Sequence, residues 1–181
     1  MNSIPALFAC IEAQEHRFQN FLARLTAQES FSLDRESVSL AAELTAAFAK
    51  ELGFSVEEHP FPRAGSGLVV SRETGSVSAP IGFVAHLDTV HPAGSFPDSL
   101  KPAPEGGLYG PGIVDCKGGV AVALLAMYAL KELGFSRPLR LLLTPDEEVS
   151  NRLTGDDGIA FLQSHVKDCA AAFVCECGKR D

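Results

Sequence analysis

The chain has 181 residues and a formal net charge of −8, with 46% hydrophobic and 21% charged residues. This composition is typical of one globular domain and argues against a disordered chain. Because the net charge is negative and no basic stripe is present, we expect no nucleic-acid partner. The five cysteines are odd in number, which favours a reducing compartment, and we expect a cytoplasmic location.

A leader peptide and a membrane span are both unexpected from the sequence. The N-terminal residues lack a basic region, and Glu12, Glu15 and His16 interrupt their apolar pattern. The longest apolar run, from Val120 to Leu130, is shorter than the ~20 residues that cross a bilayer. We therefore expect no membrane partner.

The hydrophobic pattern predicts alternating helices and strands. Apolar residues at helical spacing predict helices over 4–26, 35–52, Asp115–Leu133 and Asp157–Val166. Asp34 is the predicted N-cap of the second helix, and Gly53 its stop. Short apolar runs predict strands over Phe54–Phe61, Gly67–Arg72, Ile81–Ala85, Leu139–Leu143 and Ala170–Val174. A loop rich in Pro and Gly spans 91–112 and includes a short strand at Leu108–Tyr109.

The order of these elements indicates the fold class. Strands and helices alternate in the second half of the chain, which is typical of βαβ units. The strand Ile81–Ala85 is apolar without alternation, as in a central parallel strand that is covered on both faces. We predict an α/β fold of three layers, with a mostly parallel sheet and helices on both faces, in one domain without a linker.

Side chains that can bind metal follow three of the predicted strands. They are His86 and Asp88, then Asp146-Glu147-Glu148, then Cys175 and Glu176. A further acid, Asp115, opens the predicted helix after the loop. Since ligands of open α/β sheets bind at the carboxyl ends of strands, these segments are expected to meet at one rim.

The combination of one imidazole with several carboxylates points to a metal site. Carboxylates crowded into one crevice repel each other, and a divalent metal removes that conflict. The ligand types suit zinc, with manganese or cobalt as alternatives. Two metals fit better than one, because the acids outnumber the ligands of a single tetrahedral ion. His86 and Asp88 point the same way on an extended backbone, which suits a metal-binding imidazole and a carboxylate that orients it.

Each of these residues also has a simpler interpretation when it is taken alone. His86 alone is more often a satisfied core or loop histidine. Asp115 is most simply a helix N-cap, Asp146-Glu147-Glu148 a solvated acidic turn, and Glu176 a surface residue. Only their joint placement at strand ends favours the metal site.

Three motifs in the same order resemble the dinuclear zinc amidohydrolases. They are His86-Leu87-Asp88-Thr89-Val90, Gly110-Pro111-Gly112-Ile113-Val114-Asp115-Cys116-Lys117-Gly118-Gly119 and Asp146-Glu147-Glu148. This family includes glutamate carboxypeptidase, acetylornithine deacetylase, succinyl-diaminopimelate desuccinylase, aminoacylase and peptidase T. The resemblance covers about residues 35–178.

The resemblance implies two zinc ions, with Co²⁺ or Mn²⁺ as alternatives, and a role for each motif residue. The implied ligands are His86 and Glu176 on the first zinc, Asp115 as the bridge, and Glu148 on the second zinc. Asp88 would hold the ring of His86, and a cis peptide would follow Asp115. Glu147 would be the general base for attack on an amide carbonyl.

The resemblance also implies that residues 1–181 are the N-terminal part of an incomplete zinc-peptidase catalytic domain. Family members continue into a lid and dimerisation domain and a C-terminal return segment, which carry the last histidine ligand and the groups that grip the substrate. The remaining histidines lack the family context; they are His16, His59, His91 and His165. Ser150-Asn151 stand where the family usually has Gly-Ser. A complete member is expected to be a homodimer.

The expected function is hydrolysis of an amide bond in a peptide or N-acyl amino acid, with weak or no turnover by this chain alone. A second hypothesis is a truncated or split-gene chain that binds metal without catalysis. A third is a two-metal hydrolase of phosphate esters. The Gly-rich residues 106–112 keep it open, although no phosphate-cradling loop is evident.

Overall fold

The computed structural model of the chain describes residues 3–96, 101–102 and 107–178. Its α-helices are α1 (Ile4–Ala13), α2 (Glu15–Ala27), α3 (Arg35–Glu51), α4 (Gly118–Glu132) and α5 (Asp156–Val166). Its strands are β1 (Ser55–Pro60), β2 (Ser66–Arg72), β3 (Ile81–His86), β4 (Lys101–Pro102), β5 (Leu108–Tyr109), β6 (Leu139–Thr144) and β7 (Ala171–Val174). From α3 onward, the predicted helices and the strands of the main sheet follow one another in the predicted order.

Five of the strands form one sheet in the order β1-β2-β6-β3-β7. β2 is antiparallel to β1 and β6, whereas β3 is parallel to β6 and β7. Within this sheet β2 alone runs against the others, so the predicted mostly parallel sheet is more accurately a mixed one. β3 occupies the interior position that its continuous apolar sequence predicted.

Buried side chains cover both faces of the sheet. On one face, α2, α3 and α4 pack on Leu141 and other inward side chains of the strands. On the opposite face, Phe161 of α5 packs with Phe61, Val69 and Leu142. Because neighbouring residues of a strand face opposite sides, a strand covered on both sides is apolar along its length. The predicted helices on both faces are confirmed.

The N-terminal segment forms two helices instead of the single predicted helix over 4–26. Gln14 separates α1 from α2, and its N–H bonds to the carbonyl of Ile11 in a tighter turn than the α-helical one. Neither Pro nor Gly marks this break, so the hydrophobic pattern carried no signal for it. α3 agrees with its prediction, because the Asp34 carboxylate accepts hydrogen bonds from the N–H groups of Glu36 and Ser37.

The segment before α4 is not a regular helix. Ile113–Lys117 forms a π-helical turn in which Asp115 (φ −128°, ψ 95°) and Cys116 (φ −133°, ψ 27°) have non-helical backbone. The peptide bond between them is cis, as expected. The predicted helix Asp115–Leu133 is therefore wrong at its start, since α4 begins at Gly118 and Asp115 lies outside it.

The stretch Ile113–Glu132 has the length and composition of a membrane-spanning helix. Its continuous α-helical part, α4, has 15 residues, and Val120, Leu124 and Met127 of α4 are buried in the core of the chain. A buried core helix meets the same criteria, so this stretch is weak evidence for a membrane span.

The loop predicted over 91–112 is described in part. β4 and β5 form a small antiparallel pair, which confirms the short strand at Leu108–Tyr109. Residues 97–100 and 103–106 of this loop lie outside the described residues.

Candidate metal centre

Parallel pairing places the ends of three strands side by side. β3 and β6 remain in register up to His86 opposite Thr144. After β7, the N–H of Cys175 continues the ladder to the carbonyl of Val84 on β3. The loops that follow these strands therefore start side by side at the carboxyl ends of the strands, where α/β folds bind their ligands.

The ring of His86 is fully buried between two groups of oxygen atoms. Its Nδ1 lies 3.0 Å from the carbonyl oxygen of Asp88 and 3.2 Å from Oδ1 of the same residue. Its Nε2 lies 2.8 Å from Oδ1 of Asp115. A carboxylate on one ring nitrogen commonly orients a metal-binding histidine, and here it turns Nε2 toward the acidic residues.

Three more carboxylates lie near the same ring nitrogen. Oε1 of Glu176 is 3.6 Å and Oε2 of Glu147 is 3.9 Å from Nε2 of His86. Glu148 offers an oxygen within 4.8 Å of ligand atoms of both His86 and Asp115. The structure thus brings all the predicted site residues together, namely His86, Asp88, Asp115, Glu147, Glu148 and Glu176.

The side chains of this cluster differ in their exposure to solvent. His86 and Asp88 are inaccessible, whereas the side chains of Asp115 and Glu147 are 48% and 54% exposed. Solvent can therefore reach the acidic side of the cluster, while its histidine side stays closed.

The charges at this cluster favour a divalent cation. Burial lowers the pKa of His86, but hydrogen bonds to Asp88 and Cys116 outweigh burial and raise it to about 12. Burial raises the pKa of Glu148 and of Glu176, and the nearby charge of Asp115 raises both further. A divalent cation replaces the histidine proton and stabilises crowded carboxylates. One imidazole with several carboxylates fits zinc, manganese or cobalt.

The Cys116 thiol is a neighbour that the motifs did not single out. It is buried, and its Sγ accepts a hydrogen bond of 3.3 Å from the backbone N–H of His86. With His86 and Glu176 it forms a second group of possible ligand atoms within 4.8 Å of one another. Its only signal in the sequence was its position next to Asp115.

Among the described residues, His86 is the one histidine that belongs to such a ligand group. His59 instead packs near the rings of Phe61 and Phe161, and His91 packs near Phe96. Cys175 and Cys177 also lie outside these groups in the described part of the chain.

Asp146 shapes the loop after β6. It is fully buried and accepts hydrogen bonds of 2.8–2.9 Å from the N–H groups of Leu153 and Thr154 and from the Thr154 hydroxyl. The same loop contains Ser150 and Asn151 at φ values of 57° and 56°. The departure from Gly-Ser therefore places serine where a positive φ favours glycine.

Two buried polar contacts of the site were not predicted. The Ser32 hydroxyl donates to Oδ2 of Asp88 at 2.6 Å, and Nζ of Lys117 donates to the carbonyl of Gln28 at 2.7 Å. Burial lowers the pKa of Lys117 to about 8. The partners lie 56 and 89 residues apart in the chain, so no local pattern could reveal either contact.

A sequence match over the second half of the chain decides the family. The family described as Peptidase family M20/M25/M40 matches residues 82–179, which is more than half of the 181 residues. The chain belongs to this peptidase family. The predicted resemblance to the metal-dependent amidohydrolases is thereby confirmed.

Curated relatives of the M20/M25/M40 chain include acetylornithine deacetylases. Those of Salmonella arizonae and Salmonella paratyphi B are each 32% identical over 126 residues, which is 66% of this chain and 32% of the relative. The chain thus spans about a third of the length of these relatives.

Solved structures confirm the α/β fold of this M20/M25/M40 chain. Human carnosine dipeptidase 1 has a TM-score of 0.79 and 17% identity, and the match covers 95% of this chain and 41% of that one. The di-peptidase Dug1p from Saccharomyces cerevisiae has a TM-score of 0.80 and 17% identity, over 95% and 40% of the chains. The Bacillus subtilis YXEP protein, described as a dinuclear metal binding peptidase, has a TM-score of 0.62 and 13% identity, over 90% and 43%.

Proposed function

We propose that this chain provides the metal-binding part of a dinuclear zinc hydrolase that cleaves the amide bond of N-acyl amino acids or small peptides. The observation that carries the proposal is the ring of carboxylates around Nε2 of His86, with Asp115 at 2.8 Å, Glu176 at 3.6 Å and Glu147 at 3.9 Å. N-acyl amino acids come first because the curated relatives are acetylornithine deacetylases.

The proposed division of labour follows the geometry of the side chains. The proposed ligands are His86, Asp115, Glu148 and Glu176. When bound, two divalent ions supply Lewis acidity to a water molecule and to the amide carbonyl. Asp88 orients the ring of His86 through the Nδ1 contact of 3.2 Å.

Glu147 is the proposed general base. Its carboxylate lies beside the ligand cluster but is half exposed, so it can face both a water molecule and a bound amide. It would take the proton of the water and deliver that proton to the nitrogen of the leaving amine. Positioned proton transfer of this kind contributes about 10²–10⁴-fold to a rate.

The test compares Glu147→Gln with Glu148→Gln, each against the unchanged protein. Glu147→Gln is expected to keep the metal content and to lower turnover of N-acetyl amino acids by about 10²–10⁴-fold. Glu148→Gln is expected to lower the metal content itself. Normal turnover by Glu147→Gln would refute the assignment of the general base.

The activity of residues 1–181 alone is a separate proposal. We expect little turnover by this chain, and assays with zinc on N-acetyl amino acids and on phosphate esters test that expectation. Turnover equal to that of an acetylornithine deacetylase would contradict it. The cytoplasmic location and the homodimer stay predictions.

A further inference from the structure

The Asp88 carboxylate contacts residues from three separate segments of the chain. Its Oδ1 lies 3.2 Å from Nδ1 of His86 and accepts a hydrogen bond of 3.1 Å from the N–H of Glu147. Its Oδ2 accepts hydrogen bonds from the N–H of Glu148 at 3.2 Å and from the hydroxyl of Ser32 at 2.6 Å. Asp88 therefore binds the backbone of the Glu147–Glu148 turn as well as the histidine ring.

Ser32 makes the shortest of these contacts, and its environment is closed. Ser32 and Asp88 are both buried, and a hydrogen bond to an ionised acceptor is stronger than a neutral one. The same hydroxyl also lies 3.1 Å from the carbonyl oxygen of Thr89. Both acceptors belong to the loop that follows β3, so the hydroxyl is directed at this loop alone.

The backbone around Ser32 is fixed to the same loop. The N–H of Thr89 donates to the carbonyl of Ser30 at 2.8 Å, and the N–H of Ser32 donates to the carbonyl of Thr89 at 3.0 Å. At the start of this segment, the buried ammonium of Lys117 donates to the carbonyl of Gln28 at 2.7 Å. We name the segment Gln28–Ser32 the clasp, since it joins the loop of His86 to the loop of Asp115.

We propose that Ser32 is a positioning residue of the metal centre, acting from the clasp through Asp88. By fixing the Asp88 carboxylate, Ser32 sets the direction of the His86 ring and holds the N–H groups of Glu147 and Glu148. The Ser32 hydroxyl thus positions the proposed ligand His86 relative to Glu147, the proposed base, and Glu148, the proposed ligand that follows it. The expected effect on metal binding rests on the proposed function. The hydrogen bonds of Ser32 and Asp88 are those of the metal-free chain and do not depend on it.

The first measurement is amide hydrogen exchange in the metal-free chain, comparing Ser32→Ala with Ser30→Ala. Ser30 is an apt control because it is equally buried, and its hydroxyl has no hydrogen-bond partner among the described residues. Ser32→Ala is expected to speed exchange of the Glu147 and Glu148 amides by about tenfold or more, whereas Ser30→Ala leaves them unchanged. Unchanged exchange in Ser32→Ala overturns the inference, whether or not the chain binds metal.

A near-isosteric variant separates hydrogen bonding from packing. Ser32→Cys still fills the site, with a sulfur atom somewhat larger than the oxygen, but offers only a weak donor, so its exchange rates are expected to approach those of Ser32→Ala. Rates equal to the wild type would show that Ser32 acts by volume and would overturn the donor role. This variant also decides the matter if the alanine variant does not fold.

The second measurement is titration with Co²⁺, followed by its visible absorption. Loss of an outer-shell partner typically lowers metal affinity by about 10–100-fold, and we expect that loss in Ser32→Ala but not in Ser30→Ala. If Ser32→Ala and the wild type bind Co²⁺ with equal affinity, Ser32 does not position the metal ligands. If the wild type itself binds no Co²⁺, the proposed function fails, and the exchange rates still decide the role of Ser32.

Discussion

At the scale of single residues, the proposed metal centre would exchange a proton on His86 for a metal ion. The ring of His86 lies between Asp88 and Asp115, and its pKa is raised to about 12, which favours the protonated ring near neutral pH. A metal ion can use Nε2 only after the proton has left, because metal ligands must be deprotonated. The same carboxylates that suit a cation therefore also hold the proton that competes with it.

The first prediction is that metal binding releases a proton from His86. Since the pKa of the ring is raised to about 12, a proton competes with the metal near neutral pH, and raising the pH weakens this competition and strengthens binding. Between pH 6 and pH 8 we expect zinc affinity to rise about tenfold per pH unit. Calorimetry in buffers of different ionisation enthalpy measures the proton count. An affinity that is constant over this range would show that His86 is neutral in the metal-free chain.

The second prediction concerns Ser150, which has φ 57°. A left-handed backbone costs a residue with a Cβ roughly 1 kcal/mol more than glycine. Ser150→Gly is therefore expected to raise the free energy of unfolding by about 0.5–1 kcal/mol, in spite of the greater freedom of glycine in the unfolded chain. Urea denaturation measures the change. Asn151→Gly is the matched control, because asparagine tolerates this backbone region and is expected to gain less.

At the scale of elements, the first turn of α4 is fitted against the end of β7. A Cβ added to Gly119 would overlap the carbonyl oxygen of Cys175 and lie 3.1 Å from its carbonyl carbon. Glu176 follows immediately, so the closeness of helix and strand sets the position of a proposed ligand. Gly119 of the second motif is thus explained by packing.

The third prediction tests this contact with Gly119→Ala. Overpacking against the backbone is expected to lower the free energy of unfolding by about 1–3 kcal/mol, and the displaced Glu176 should weaken zinc binding. Gly75→Ala is the control, since a Cβ there meets no atom within 4 Å. A Gly119→Ala chain as stable as Gly75→Ala would contradict the close fit.

The sequence predicts elements that depend on local signals better than it predicts the contacts between them. α3 could be bounded because Asp34 and Gly53 lie at its ends and act within one turn. The break at Gln14 and the irregular turn before Gly118 have no such signal. The strand ends that carry the acids could be predicted to meet, because parallel strands share their carboxyl edge. The contact between the clasp and Asp88 could not be predicted, because Ser32 and Asp88 are 56 residues apart in the chain and meet only when it folds.

At the scale of the whole molecule, the two edges of the sheet differ. β1 at one edge carries Glu57, Glu58 and Pro60, which are residues that discourage further pairing. β7 at the other edge consists of Ala171, Ala172, Phe173 and Val174 and is exposed. Its described partner is β3 alone, so its outer backbone groups are available to another strand.

The last prediction follows from this apolar edge. Phe173 and Val174 are 56% and 67% exposed, and an exposed apolar edge strand pairs readily with another chain. We expect residues 1–181 alone to self-associate as their concentration rises. Val174→Lys should weaken association about tenfold or more, since a charge on an edge strand opposes pairing. Sedimentation velocity measures both proteins. Val77→Lys adds the same charge at a fully exposed residue outside the strands. Because an added lysine reduces the net charge of −8, its general electrostatic effect cannot weaken association. If Val77→Lys weakens association as much as Val174→Lys does, the β7 edge does not control assembly.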